Sequence, residues 1–252
     1  LSNPFAAAFG ILRILLAVAV LILGAPVALL LFISTAGNVH RRARIGSKLA
    51  VLWSRVFRFV FGLIAEVEGT PPPPGSFAVC NHISHFDVLV ISSLYPTSLV
   101  SKKEIRNWPL IGILAASIGT IFVDRADRNK TRGTVGELQG YLEKGASITL
   151  FPEGTTSEGD QILPFKRSLF AVPATLNLPT YPIALQYART GDAWHDDTPF
   201  VVHMFRLLGH PSHRLKVIFG EPIPPGLERK PLAFEAQARV EELFERLQTD
   251  RA

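Results

Sequence analysis

Three rhythms of apolar and polar residues divide the chain. Ile14 through Ile33 (ILLAVAVLILGAPVALLLFI) runs without a charge for about the twenty residues that a bilayer core requires of a helix. From Leu49 to Ala65 the period is helical: Trp53, Phe57, Val60 and Ile64 share one face, and Lys48, Arg55 and Arg58 share another. That pattern suits a helix lying in a membrane interface, with a helix packed on the main domain as the alternative. Thr70-Pro71-Pro72-Pro73-Pro74-Gly75 cannot continue a helix and marks a boundary. Beyond it, short apolar runs alternate with helical patterns. Strands are predicted over 76–80, 98–101, 120–124, 148–151, 181–185 and 215–219, and helices over 86–94 and 109–117. Val135, Leu138 and Leu142 mark another helix, and Val240, Leu243, Phe244 and Leu247 the last one. This alternation predicts an α/β fold, a largely parallel sheet flanked by helices, preceded by an N-terminal membrane-associated helical module. The boundary assigns residues 1–69 to membrane-anchoring helices and 70–252 to the α/β domain.

Composition sharpens the first rhythm. Of 252 residues, 48% are hydrophobic and only 19% charged, with a mean hydropathy of +0.26, so part of the apolar surface is expected to face lipid. Pro26 inside the run removes a helix hydrogen bond and predicts a kink or break, which keeps a single-leaflet hairpin open beside a full span. A cleaved signal peptide is the competing reading, with Ser34-Thr35-Ala36 as its small-residue site. Only Arg13 precedes the run, whereas Arg41, Arg42, Arg44 and Lys48 come after it, so positive-inside bias places the chain beyond the run on the cytoplasmic side of the cell membrane. The net charge of +5 raises nucleic acid as a partner, yet no helix-turn-helix, zinc-finger or aromatic-basic signature supports it. Anionic lipids account for the same charge. Cys80 is the single cysteine, which excludes an internal disulfide.

The polar clusters sit where such sheets build sites. Asn81-His82-Ile83-Ser84-His85-Phe86-Asp87 comes directly after the first predicted strand of the domain, Asp124-Arg125 closes the third, and Pro152 to Ser157 (PEGTTS) comes after the fourth. In a parallel sheet these are carboxyl ends, facing one cleft. Several chemistries fit the first cluster. A metal site would use His82, His85 and Asp87 but lacks a further ligand cluster, and no metal or other cofactor is expected. A cysteine nucleophile would pair Cys80 with His82, although a lone cysteine ending an apolar strand is more often inert packing. Ser84 lacks a G-x-S-x-G elbow. Ser84-x-x-Asp87 also matches a helix-capping pattern. Finally, His82 and Asp87 can pair if His82 lies in the turn before a helix and Asp87 in its first turn. The carboxylate then holds the imidazole's tautomer, and a substrate hydroxyl serves as nucleophile.

Four ordered blocks between about Phe77 and Ile223 resemble the glycerolipid acyltransferase family that includes 1-acylglycerol-3-phosphate O-acyltransferases. NHISHFD is similar to that family's N-H-x-S-x-x-D block. KEIRNWPLIG, with Lys103, Pro109 and Gly112, followed by GTIFVDR, resembles the second block. FPEGTTS matches the third, and YPIAL, with Pro182, the fourth. The resemblance implies an O-acyltransferase in which His82 is the general base and Asp87 its partner. Arg125 and the Glu153-Gly154-Thr155 segment would grip the acceptor's polar head, with Lys103 and Lys166 as additional phosphate contacts. Ser168 stands where the family usually has glycine. The implied partners are the bilayer, a lysolipid acceptor and an acyl donor, acyl-CoA or acyl-carrier protein. 1-Acylglycerol-3-phosphate is the leading acceptor, with another lysolipid such as lyso-ornithine lipid as the alternative. A lipid hydrolase and a non-catalytic lipid-binding protein are rivals from other classes. Oxyanion donors are expected among the N–H groups at the amino end of the helix after His82. Trp194, His195, His203, His210 and His213 carry no assignment.

Overall fold

The computed structural model describes residues 4–107, 112, 115–116, 119–123, 128–194 and 200–249. Helix α1 (Pro4–Ser34) and helix α2 (Val39–Phe61) form an N-terminal hairpin. Next come β1 (Leu63–Glu68), β2 (Phe77–Cys80), α3 (Phe86–Leu94), β3 (Ser98–Lys102) and β4 (Ile121–Val123). The chain continues through α4 (Arg128–Glu143), β5 (Ile148–Leu150), α5 (Ala171–Leu176), β6 (Thr180–Tyr187), α6 (Phe200–Leu208), β7 (His213–Phe219) and α7 (Arg229–Thr249). The predicted helix over 109–117 lies largely outside the described residues.

The seven strands form one sheet in the order β1-β7-β6-β2-β5-β3-β4. β6 and β7 pair antiparallel, and every other neighbouring pair is parallel. Phe77, Ala78, Val79 and Cys80 of β2 and Ile148, Thr149 and Leu150 of β5 are all buried, as expected of central parallel strands covered on both faces. Burying a side chain such as Phe77 or Val79 contributes about 1.5–3 kcal/mol. Carboxyl ends of β2, β5 and β6 therefore meet at one edge of the sheet, where β7 begins.

Two local expectations change. The helical pattern over 49–65 stops at Phe61, because Gly62 adopts φ 68° and caps α2 with its N–H on the carbonyls of Arg58 and Phe59. A side chain at this position would also collide with the Arg13 guanidinium and the Pro211 carbonyl. Leu63 to Glu68 then pair with β7, so Ile64 and Ala65 are strand residues and the sheet reaches N-terminal to the proline run. The second change is at Pro26, where α1 continues without a break. Packing on α2 on both sides of Pro26 holds the two halves together. Gly24 lies so close to the Trp53 ring that a Cβ would stand 2.8 Å from it, and Leu31 is buried. Arg42 closes the hairpin, stacking over the Phe32 ring and donating to Thr35 Oγ1 at 3.1 Å.

α1 buries only Gly10, Arg13, Gly24 and Leu31, which lie within about 60° of arc. Around the rest, Phe5, Leu15, Ile22, Leu23, Leu30 and Ile33 are each at least 60% exposed. An apolar surface of this extent marks a membrane-associated element, and α1 is long and apolar enough to cross a bilayer. Its docking is polar: buried Arg13 donates to the carbonyls of Leu208, His210 and Pro211 at the carboxyl end of α6, where a cation is favoured by the helix dipole. That contact, with Gly62 beside it, ties the apolar helix to the sheet edge where β7 begins.

Candidate active site

Five residues separate His82 from Asp87, and the strand-turn-helix geometry closes that gap. His82 lies in the turn after β2, and Asp87 is the second residue of α3. His82 Nδ1 stands 2.8 Å from Asp87 Oδ2. A carboxylate only accepts, so Nδ1 carries the proton and the basic lone pair is on Nε2. The imidazole stacks on Phe151 with ring centroids 4.3 Å apart, and its side chain is 15% exposed while Asp87 is fully buried. The site residue therefore reaches solvent and its carboxylate partner does not.

Asp87 carries more than the histidine. Its Oδ2 also accepts the N–H groups of Ile83 at 2.7 Å and Ser84 at 2.9 Å, and Oδ1 accepts the Tyr187 hydroxyl at 2.7 Å. The Ser84 bond is one half of a capping box; the Ser84 hydroxyl meets the Phe86 N–H at 3.5 Å, and His85 occupies the N-cap position. In the turn between β2 and α3, the Ile83 and Ser84 N–H groups donate to Asp87, and the His82 N–H donates to Glu153 Oε1 at 2.7 Å, so these three are not free to hold an oxyanion. The cysteine reading weakens on the same geometry: Cys80 is fully buried, and that burial pushes its thiol well above the ordinary range.

The PEGTTS segment is sewn onto the same turn. Glu153, expected at a headgroup, is buried and accepts two backbone N–H groups, from His82 and, at 2.9 Å, from Leu163. Ser157 N–H donates to His82 O at 2.8 Å, and Trp194 N–H donates to Ile83 O at 3.0 Å. Asn81 clamps the end of β2 to β6, its amide pairing with both Leu185 O and Leu185 N–H at 2.9 and 2.8 Å. Gly154 holds φ 72°, and a Cβ there would overlap the Lys166 ammonium. Lys166 thus lies against the turn that also exposes Thr155. Lys103 is exposed at the start of a short 3-10 helix after β3, about 10 Å from β2 across two strand spacings. Arg125 lies outside the described residues. Among the described residues no group of three or more His, Cys, Asp or Glu side chains is placed to hold a metal ion.

Burial raises the Glu153 carboxyl to about 7, helped by the nearby charge of Asp87 and opposed by the two N–H bonds. Its unfolded value is near 4.5. Between these values the native state holds a proton that the unfolded chain has released, so this group makes stability fall as pH rises through the window and leaves it level above. The expected size is about 3 kcal/mol. Melting temperatures of the parent and Glu153→Gln, measured between pH 5 and pH 8, should show the parent losing stability relative to the variant. Parallel curves would remove Glu153 as the source.

Of the unassigned histidines, His213 forms a second His–Asp pair, its Nδ1 2.8 Å from Asp192 Oδ1 and its Nε2 2.9 Å from Leu207 O. Both nitrogens face oxygen acceptors and both side chains are buried, so this pair offers no accessible base. His85 packs on Trp194 at 4.1 Å, and Trp194 on His203 at 6.4 Å. His210 Nδ1 donates to Ser212 O at 2.7 Å, and His195 lies outside the described residues. Asn81 and Phe151 open the NHISHFD and FPEGTTS blocks without a role being read for them, and Asp192 and Tyr187 lie in no motif. For Tyr187 the available signal is a phenol two residues beyond the apolar run that ends at Leu185.

Residues 65–186 match the protein family described as Acyltransferase. The chain is 31% identical over 213 residues to a lyso-ornithine lipid O-acyltransferase of Brucella abortus, covering 76% of this chain and 78% of that one. It is 30% identical over 152 residues to a 1-acyl-sn-glycerol-3-phosphate acyltransferase of Neisseria gonorrhoeae, covering 58% and 60%. Among solved structures, the 1-acyl-sn-glycerophosphate acyltransferase of Thermotoga maritima superposes with a TM-score of 0.61, covering 94% of this chain and 97% of that one at 21% identity. At that identity the likeness is one of fold.

Proposed function

Because the chain belongs to the acyltransferase family, we propose that it esterifies the free hydroxyl of a lysolipid, with His82 as general base and Asp87 as its orienting partner. The observation that carries this reading is the 2.8 Å bond from a partly exposed imidazole to a buried carboxylate. His82 Nε2 takes the hydroxyl proton as the oxygen attacks the acyl thioester carbonyl. The tetrahedral intermediate collapses, the C–S bond breaks, and the leaving thiolate recovers the proton. A thiol of pKa about 8.5 leaves with little acid assistance, so one base suffices. Asp87 stabilises the imidazolium while the proton is in transit.

For the acceptor, Lys166 beside the Gly154-Thr155 turn supports an anionic head, and Arg125 and Lys103 are assigned to the same phosphate. Guanidinium pairs bidentately with phosphate, and N–H groups of a glycine turn can cradle it. 1-Acylglycerol-3-phosphate is the acceptor this favours. Lyso-ornithine lipid is the second reading, favoured by the longer match to the Brucella abortus enzyme. The donor is acyl-CoA or acyl-carrier protein, and α1 with the basic residues after it sets the enzyme in the cell membrane with its α/β domain, which begins at β1, on the cytoplasmic side.

One experiment tests these assignments together. Sealed inside-out membrane vesicles containing the full chain receive impermeant acyl-CoA or acyl-carrier protein and a panel of lysolipids. Ester formation there, and not in right-side-out vesicles, is expected. Free fatty acid as the product would indicate a hydrolase, and binding without turnover would indicate a tethering protein. Arg125→Ala should raise the KM for 1-acylglycerol-3-phosphate about tenfold or more and leave kcat nearly unchanged. An unchanged KM removes Arg125 from the headgroup site.

A further inference from the structure

Behind the proposed base, the far oxygen of Asp87 is occupied by a residue from another strand. Tyr187 ends β6, is 1% exposed, and places its hydroxyl 2.7 Å from Asp87 Oδ1. Since a carboxylate only accepts, the phenol donates. Asp87 therefore holds four donors: His82 Nδ1, Ile83 N–H and Ser84 N–H on Oδ2, and the phenol on Oδ1. The three on Oδ2 come from Asp87's own turn. The fourth arrives from 100 residues away and defines the carboxylate's second direction. Tyr187 is itself fixed: its N–H donates to Gln186 Oε1 at 2.9 Å, Gln186 Nε2 donates to Gly159 O at 2.6 Å, and the residue pairs in register with Leu215 of β7.

We infer that Tyr187 is a positioning residue for acyl transfer, setting the basicity of His82 through Asp87. This rests on reading His82 as the base. A hydrogen bond on Oδ1 draws negative charge away from Oδ2 and holds the carboxylate plane toward Nδ1. The carboxylate so held stabilises the imidazolium as it forms during the reaction.

The surrounding charges keep the phenol a donor. Burial first, then the negative Asp87 and Asp192, push its ionisation well above the ordinary range, with the Ser84 hydroxyl acting weakly the other way. Asp192 is held by His213 of β7. Around Asp87 the other ionisable neighbours are His82, Glu153 from the PEGTTS segment, and the Cys80 thiol ending β2.

The test uses the full chain and compares Tyr187→Phe with the parent and with His82→Ala, reading kcat, acceptor KM and the pH profile of kcat/KM. Phenylalanine keeps the ring and removes only the donor. kcat should fall about 10- to 100-fold, the scale typical of partners one step behind a working histidine, with acceptor KM within about twofold. The acid limb should move to higher pH by about half a unit, because the carboxylate now favours the imidazolium more strongly. Site-specific Tyr187→3-fluorotyrosine makes the phenol a stronger donor without changing its place, and should move the limb to lower pH. It decides the matter if the phenylalanine variant does not fold. An acid limb fixed in the folded variants would make Tyr187 packing alone and overturn the inference. An active His82→Ala would overturn the assignment of the base itself, whereas a dead His82→Ala with an unmoved limb would overturn Tyr187 only.

Discussion

His82→Ala is expected to lower ester formation by about six powers of ten, the loss in a comparable acyl-transfer site deprived of its base, while the protein stays folded. The second half of that expectation comes from the bonding of Asp87. Removing the imidazole takes one of its four donors, and Ile83 N–H, Ser84 N–H and the Tyr187 hydroxyl still hold the buried carboxylate. The other loss is the stacking of a partly exposed ring on Phe151, about 1 kcal/mol. Turnover with acyl-CoA and the best acceptor, measured beside a thermal melt, checks both parts. Near-normal turnover in a folded variant would end the general-base assignment.

Asp87→Asn should lose activity, its stability should report which way the amide turns, and the contrast with His82→Ala is the informative result. An amide has one accepting oxygen and one donating nitrogen, but four donors converge on the two Asp87 oxygens. With its nitrogen on the Nδ1 side the NH2 group faces three donors; turned the other way it faces the Tyr187 hydroxyl, which can rotate to accept it. If it meets Nδ1, the imidazole is driven to the tautomer whose lone pair points inward, and activity falls by about four powers of ten. In that orientation the buried donors left without acceptors cost about 3 kcal/mol, which lowers the melting temperature by roughly 6–12 °C in a domain of this size. Circular dichroism melts of both variants read this directly. An inactive Asp87→Asn protein as stable as its parent would show the amide turned with its oxygen toward Nδ1 and Tyr187 accepting from its NH2 group, whereas an active one would end the role of the Asp87 charge.

Much of this architecture is legible from local pattern. Phe86–Leu94 is a helix over the predicted residues, because its boundaries are local: a capping sequence starts it, and Tyr95-Pro96 ends it. The predicted strands at 76–80, 98–101 and 148–151 appear within a residue or so at each end, since short apolar runs between turn residues have few alternatives. β1 escapes such a reading because Leu63 to Glu68 prolongs a helical apolar spacing without interruption. Pairing with β7, 150 positions away along the register Leu63↔His213, decides against helix there. The continuity of α1 through Pro26 is of the same kind, resting on contact with Trp53.

At the site the division tracks sequence separation. His82 and Asp87 are identifiable because a strand-turn-helix can bring residues five apart together by itself. Glu153 is assigned to a headgroup when only its place in a motif is visible, yet its carboxylate faces inward onto the N–H of His82, 71 residues away.

By itself, then, the sequence determined the alternation of strands and helices, the apolar membrane element, the pairing of His82 with Asp87 and the family. All of these are written in periodicity and short spacing, where the backbone allows few conformations. Only the tertiary structure decided which oxygen of Asp87 meets which donor, that Tyr187 stands behind the histidine, and that Arg13 ties α1 to the edge of the sheet. Each depends on groups brought together by strand order and packing, and no local pattern encodes the directions in which they converge.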